Sequence, residues 1–349
     1  MGRRHGWAAP YRLAAALQKG TVAPPPYGVL LSGEGQARQG RFMVDILVTI
    51  VPIFMVIFVG VALRPFGLME EGFVRPANQL VYYVAIPAML FREVSEAALA
   101  DYFSVSVVGA ALLPPVVFFF AGLVLTRIAA FPRRQAGTLL QCSFHGNLGY
   151  IGLAVSYYFL GSEGFTKASI LAGFLMLVQN LLSVVALSRS HETQGERLPM
   201  GRLVRRVVLN PLILAAAAGI FFSVARWPLP TVVDRSLKIL SDMALPLALL
   251  VIGTSLSFGQ FRRHLRPVIA VTLSKLILLP ATGLALVYLF RVSKGDSLPA
   301  LILLASPTAT VSYVMAREMA GDPDLATAAI SVTTLVSGVT YTFWLGLFG

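Results

Sequence analysis

The sequence predicts an all-α integral membrane protein of ten transmembrane helices, arranged as two inverted five-helix repeats with broken crossover helices at the fourth and ninth positions. Three observations predict it. The 349 residues are 56% hydrophobic and only 13% charged, with a mean hydropathy of +0.76. Soluble domains carry about 25% charge, so this chain cannot cover a water-facing surface. The apolar residues fall into ten stretches, and a bilayer core needs about 20 such residues per helix. Prolines and glycines recur in the two halves at a nearly constant separation. A water-soluble enzyme, a disordered chain and a nucleic-acid module are excluded as the main reading.

The ten stretches are residues 44–63, 74–92, 105–126, 135–160, 165–187, 207–225, 236–256, 267–290, 298–319 and 325–347. Connections between them are short, as in a compact bundle. The longest, at 189–206, holds Arg189, Glu192, Glu196, Arg197, Arg202, Arg205 and Arg206, and is read as a solvated cytoplasmic loop. It separates a first repeat over 43–188 from a second over 207–349. Residues 1–42 differ, with six basic residues and no apolar core of signal-peptide length. They are read either as a disordered tail or as an extension ahead of a start at Met43.

Pro52, Gly60, Val74, Ala85 and Pro87 correspond to Pro211, Gly219, Val233, Ala244 and Pro246, each 159 positions on. Gly161, Ala168 and Ile170 correspond to Gly321, Ala328 and Ile330 at 160. Leu112-Leu113-Pro114 resembles Leu278-Leu279-Pro280 at the outlying offset of 166, a weaker match. Five spans per repeat turn the second copy upside down, which is the build of many secondary transporters, with a site near the midplane where the copies meet.

The loops set the orientation. Those after odd-numbered spans carry fourteen Lys and Arg residues, and the opposite loops carry seven. Basic loops stay cytoplasmic, so both ends of the bundle are expected outside. A tail with six basic residues would then cross the membrane against the rule, which favours the start at Met43. Without that tail 22 basic residues face 15 acidic ones, and the net +12 becomes +7. The basicity therefore reports orientation, and no nucleic-acid partner is expected.

Polar groups inside a span are costly and are functional candidates by default. The fourth span holds the densest run, Gln141-Cys142-Ser143-Phe144-His145-Gly146-Asn147-Leu148-Gly149-Tyr150. Gly146 and Gly149 weaken a helix there. Its mate at offset 160 is Ala305-Ser306-Pro307-Thr308-Ala309-Thr310, with Asn147 opposite Pro307, and Pro307 removes a backbone donor. Two broken helices crossing at the midplane would present freed N–H groups and half-helix N-termini, a seat for an anion. Ser143, His145, Gly146, Asn147, Gly149, Ser306, Pro307, Thr308, Ala309 and Thr310 are therefore expected at the substrate site, with Asn180 of the fifth span. Gln179 beside it either bonds substrate or bridges helices. Asp242 and Lys275 lie inside the seventh and eighth spans. They pair with each other, carry a coupling proton (Asp242) or attract the anion (Lys275), unless Lys275 snorkels to the interface. Four scattered histidines and the single Cys142 offer no metal-ligand spacing and no disulfide. No metal and no cofactor are expected.

At these residues the chain resembles the auxin efflux carrier family, which includes malonate-transporter-like permeases and the plant PIN-type carriers. The resemblance rests on Asn147-Leu148-Gly149-Tyr150-Ile151-Gly152-Leu153, Asn210-Pro211-Leu212-Ile213, Ala244-Leu245-Pro246-Leu247-Ala248 with Ile252-Gly253, Ser306-Pro307-Thr308-Ala309 and Thr333-Thr334-Leu335. It covers residues 43–349. It implies a scaffold of helices one, two, six and seven, often dimeric, a moving domain of the others, and substrate at the crossover of helices four and nine. Gly146 stands where plant carriers place a proline.

The expectation is a secondary active transporter of a small organic anion such as a mono- or dicarboxylate, working by alternating access in a bacterial inner membrane. Its partners would be that anion, the lipid bilayer, protons if transport is coupled, and a second copy in a homodimer. The alternative within the class is a sodium-coupled carrier like the bile-acid symporters. The alternative outside it is an intramembrane enzyme using His145 and Cys142, for which an orienting acid is not evident. An ATP-driven pump lacks a phosphate-cradling loop, and a sensor lacks a soluble domain.

Overall fold

The computed structural model describes residues 35–96, 105–191, 209–257 and 259–348. Of the expected tail over 1–42, residues 1–34 lie outside the described residues and 35–42 are helical; of the expected loop over 189–206, residues 192–206 lie outside them. The described chain is an all-α, multi-spanning membrane helix bundle. Six of its helical runs are long and apolar enough to cross a bilayer: Phe42–Phe66, Val105–Ile128, Leu148–Ser188, Thr231–Ser255, Arg262–Leu289 and Pro323–Gly346. Pro211–Ala225 is apolar but shorter. The remaining expected spans fall on interrupted or charge-bearing helices.

Helix α1 is Gly35–Leu63, so it begins ahead of the expected residue 44. α2 (Glu71–Leu80) and α3 (Ile86–Ser95) are joined by the wide turn Val81–Ala85. α4 is Val105–Ile128 and α5 is Arg133–Phe144. The wide turn Leu148–Gly152 leads into α6, Leu153–His191. Gly161 divides α6 with φ 68° and ψ −167°. Only glycine tolerates that region of backbone space, so α6 breaks at the boundary between the expected fourth and fifth spans. α7 (Pro211–Ala225), α8 (Thr231–Asp242) and α9 (Ala244–Ser255) follow. α10 (Leu265–Leu273) and α11 (Leu279–Leu289) flank a third wide turn, Ser274–Leu278. α12 (Lys294–Leu304), α13 (Val311–Glu318) and α14 (Pro323–Gly346) complete the chain.

The wide turns explain how prolines sit inside spans. A proline lacks its N–H and crowds the carbonyl four residues back. Before both Pro87 and Pro280 the chain opens to i→i−5 bonding, Ile86 N–H to Val81 O and Leu279 N–H to Ser274 O. The carbonyl four residues before Pro280, Leu276 O, accepts instead from Trp344 Nε1 at 2.7 Å. Pro114 and Pro115 sit within the continuous helix α4, so the weak Pro114–Pro280 match is not accompanied by the same local structure.

Two close helix contacts frame the bundle. α1 lies on α9, where a Cβ on Gly60 would collide with Leu250 O. α7 lies on α3, where a Cβ on Gly219 would stand 3.1 Å from Phe91 O and 2.9 Å from Val94 Cβ. The sequence offset of 159 carries Gly60 to Gly219 and Phe91 to Leu250, so it converts one contact into the other. Small residues that let backbones approach are a common means of helix association in lipid. Met55, Phe58, Phe120 and Val124 are exposed on the outside of the bundle, where lipid and not water is the natural solvent.

Candidate functional site

The two sequence-predicted breaks meet. α5 ends at Phe144, and His145 turns out of the helix with ψ 102°. α12 ends at Leu304. Between them the chains run antiparallel for a few residues, with Gly146 bridged to Thr308. Asn147 N–H donates to Pro307 O at 2.7 Å, and Ala309 N–H donates to His145 O at 2.9 Å. Asn147 and Pro307 are the pair that the offset of 160 aligns. A Cβ on Gly146 would collide with Ser306 Oγ and stand 3.3 Å from Lys275 Cε, so those two side chains would have to shift to admit it.

The restart after the first break is capped by Asn147, whereas the restart at Val311 has no side-chain cap. Asn147 has φ −77° and ψ 69°, with Leu148 N–H donating to Gly146 O at 2.9 Å, an inverse γ-turn. Its side-chain Oδ1 accepts from Tyr150 N–H at 3.3 Å. Gly146 N–H donates to Gln179 Oε1 at 3.1 Å, and Thr308 N–H donates to Thr333 Oγ1 at 3.1 Å. The expectation was that freed backbone N–H groups would face a ligand. The four N–H groups of residues 146, 147, 308 and 309 are satisfied by the protein instead, because a buried unpaired N–H is expensive.

The spare donors are side-chain amides. Both amide oxygens accept from backbone N–H groups, so both NH₂ groups point elsewhere. Asn147 Nδ2 and Gln179 Nε2 are buried and find no acceptor among the described residues. Lys275 joins them. Its side chain is fully buried, and Nζ donates to Leu304 O at 2.7 Å. That carbonyl is free because Thr308 N–H, its usual helical partner, bonds Thr333. No acidic side chain among the described residues pairs with Lys275.

Several expected residues are used structurally. Ser143 Oγ donates to Leu139 O, Ser306 Oγ to Leu303 O and Thr308 Oγ1 to Cys142 O. His145 Nδ1 shares a 2.8 Å hydrogen bond with Ser183 Oγ. Gly149 is half-buried, and a Cβ there would touch Leu212 and Met176 at 3.5 Å. Thr310 is half-buried at the start of α13.

Two of the alternatives for Asp242 and Lys275 are not met. Asp242 and Lys275 do not pair: Asp242 is exposed and held by Lys238 at 2.9 and 3.1 Å, one helical turn away. Lys275 does not snorkel, because the helix end of α12 offers its ammonium a carbonyl within the bundle. Among the described residues it is Gln179, the neighbour of Asn180, that bonds to the breaks. Helical phase explains this. Ala172, Leu175, Gln179, Ser183 and Ala186 form one fully buried stripe, and Asn180 lies off it. That spacing was visible in the sequence. Tyr150 OH, which donates to Asn78 Oδ1 of α2 at 2.8 Å, was also missed, since nothing local links residues 72 positions apart.

Comparison with known proteins adds the following. The sequence model of a family described as membrane transport protein matches residues 45–345, a stretch that includes both breaks. An uncharacterised transporter of Methanothermobacter thermautotrophicus is 28% identical over 307 residues, covering 85% of this chain and 96% of its own. A proposed malonate transporter of Rhizobium meliloti is 25% identical over 312 residues, covering 86% and 95%. The auxin efflux carrier component 8 of Arabidopsis thaliana is 26% identical over 139 residues, 38% of each chain.

Proposed function

This chain belongs to the membrane transport protein family, and from that premise we propose that it is a secondary active carrier of a small organic anion such as a mono- or dicarboxylate. Membership makes it a multi-pass membrane transporter and not an intramembrane enzyme. The observation that carries the anion reading is the surplus of donors at the paired breaks. Asn147 Nδ2 and Gln179 Nε2 are buried without acceptors among the described residues, and the buried Lys275 reaches the same pair of breaks through Leu304 O. An unmade hydrogen bond on a buried polar group costs about 1–3 kcal/mol, and a carboxylate supplies acceptors for both. The starts of the Leu148 and Val311 helices add their positive dipole ends.

The architecture we propose is ten spans in two inverted five-helix repeats over 43–188 and 207–349. The symmetric Gly60–Leu250 and Gly219–Phe91 contacts support it, as does the Asn147–Pro307 pairing. Substrate sits where these breaks cross. Asn147 is the direct donor, Gly146, Ser306, Pro307, Thr308, Ala309 and Thr310 shape the break, and Ser143, His145 and Gly149 form its walls. The domain holding both breaks moves against the α1, α3, α7 and α9 framework, exposing the site to each side in turn. The carrier works as a homodimer in a bacterial inner membrane with both ends of the bundle outside, the orientation that the basic loops support.

Uptake into proteoliposomes tests this, with malonate first because one relative carries that name, then a panel of monocarboxylates and dicarboxylates. We expect uptake of at least one of these anions and its loss in Asn147→Ala. Uptake by well-folded Asn147→Ala equal to wild type would remove the site.

A further inference from the structure

Lys275 is a cation on a site otherwise built of neutral groups. It lies on the turn Ser274–Leu278, where the widened helix leads into Pro280. Its Nζ rests on Leu304 O, the last carbonyl of α12 and the negative end of that half-helix. Its Cε stands 3.3 Å from where a Cβ on Gly146 would be, and Ser306 Oγ crowds the same point. Carbonyl and hydroxyl oxygens around a broken helix are the surroundings in which carriers hold a dissolved monovalent cation. Here Lys275 Nζ stands on one such oxygen, Leu304 O.

The charge is uncompensated. Among the described residues, the side chains of Arg92, Lys167, Lys238 and His264 all lie within ion-pair distance of carboxylates, and Lys275 does not. Asp242, the other charge expected inside a span, is held at the surface by Lys238. A buried charge without a partner is strongly disfavoured, and it favours whatever anion enters beside it.

We infer that Lys275 is the resident counter-charge of the carrier: its ammonium occupies the place of a coupling cation, meets one carboxylate of the substrate, and makes anion transport independent of sodium. This rests on the reading of the paired breaks as an anion site. It also separates this chain from a sodium-coupled carrier, because one fixed positive charge does the work of the dissolved ion.

The test uses the full chain in proteoliposomes with malonate as probe, supplemented by the carboxylate panel, and compares sodium buffer with choline buffer. Wild-type uptake should agree within about twofold in the two buffers, and a tenfold or greater loss without sodium would overturn the inference. Lys275→Gln keeps a donor for Leu304 O but removes the charge. Anion binding should weaken at least tenfold, while the unliganded melting temperature stays at or above wild type because a lone buried charge has gone. Lys275→Arg, which restores the charge, should recover part of the binding, so a Gln variant that fails to fold still leaves a charge-retaining comparison. Lys275→Gln or Lys275→Met binding the anion within twofold of wild type would overturn the inference alone. A wild type that takes up none of the carboxylates would overturn the carrier reading and this inference with it.

Discussion

Gly253→Ala should destabilise the bundle although alanine is the better helix former. Gly253 of α9 faces the backbone of α1. A Cβ there would collide with Ile57 O and stand 2.9 Å from Val61 N and 3.0 Å from Gly60 Cα. All three obstacles are main chain, so no side-chain rotation relieves them and the two helices must part. Overpacking of this kind costs about 1–3 kcal/mol, and rigid backbone neighbours place it near 3. The helix preference of alanine over glycine returns about 1 kcal/mol. The net loss is about 2 kcal/mol, roughly thirtyfold in the ratio of folded to unfolded protein. Gly72→Ala on α2 is the control, since nothing lies within 4 Å of its Cβ position. It should be neutral or gain up to about 1 kcal/mol. Melting of the detergent-purified variants, followed by tryptophan fluorescence, measures both. Gly253→Ala melting at or above wild type would refute the backbone contact between α1 and α9.

Other outcomes follow from single contacts. Thr333→Val keeps shape but leaves Thr308 N–H without its acceptor, so stability should fall by about 1–3 kcal/mol and uptake with it, read by melting and by proteoliposome assay. Asp322 caps α14 through Leu325 N–H at 3.0 Å and pairs with His264 at 3.3 Å. Asp322→Ala should cost about 1–2 kcal/mol, and a melt unchanged from wild type would show that the cap is idle. Partial burial pushes the Asp296 carboxyl up, but hydrogen bonds from Ser293 and Lys167 and the Lys167 charge outweigh it and hold the carboxyl below its ordinary value. A carboxyl lowered in the folded state stabilises above its unfolded pKa of about 3.9 and loses that contribution as pH falls through the lower folded value. Asp296→Asn should therefore melt below wild type at pH 7, with the gap closing below about pH 4. A gap independent of pH would contradict the assignment.

The parts of the fold that were legible in the sequence are those written in local backbone chemistry. Gly146 and Pro307 cannot continue a helix comfortably, and the offset of 160 that sets Asn147 opposite Pro307 predicts that the two breaks face each other. In the described structure Asn147 N–H donates to Pro307 O. What escaped depends on packing. Gln179 and Asn180 are adjacent and chemically alike, and only the phase of the buried stripe decides which one reaches Gly146. Asp242 and Lys275 look like partners when only their spans are counted. A surface lysine one turn away captures the first, and a freed carbonyl captures the second. The wide turns before Pro87 and Pro280 were not foreseen, because a proline signals a disturbed helix without saying how the disturbance is absorbed. The destinations of the freed N–H groups were likewise invisible, since Thr333 lies 25 residues from Thr308.

Asn147→Asp tests the carrier reading most directly, measured as malonate and carboxylate-panel uptake beside the wild type in the same proteoliposomes. The substitution keeps Oδ1 to accept from Tyr150 N–H and replaces the unpartnered Nδ2 donor with an anionic oxygen. Uptake, normalised to the folded carrier in the vesicles, should fall at least tenfold because like charges now meet at the crossover. Asn147→Asp protein that transports the anion at the wild-type rate would contradict an anion site at the paired breaks.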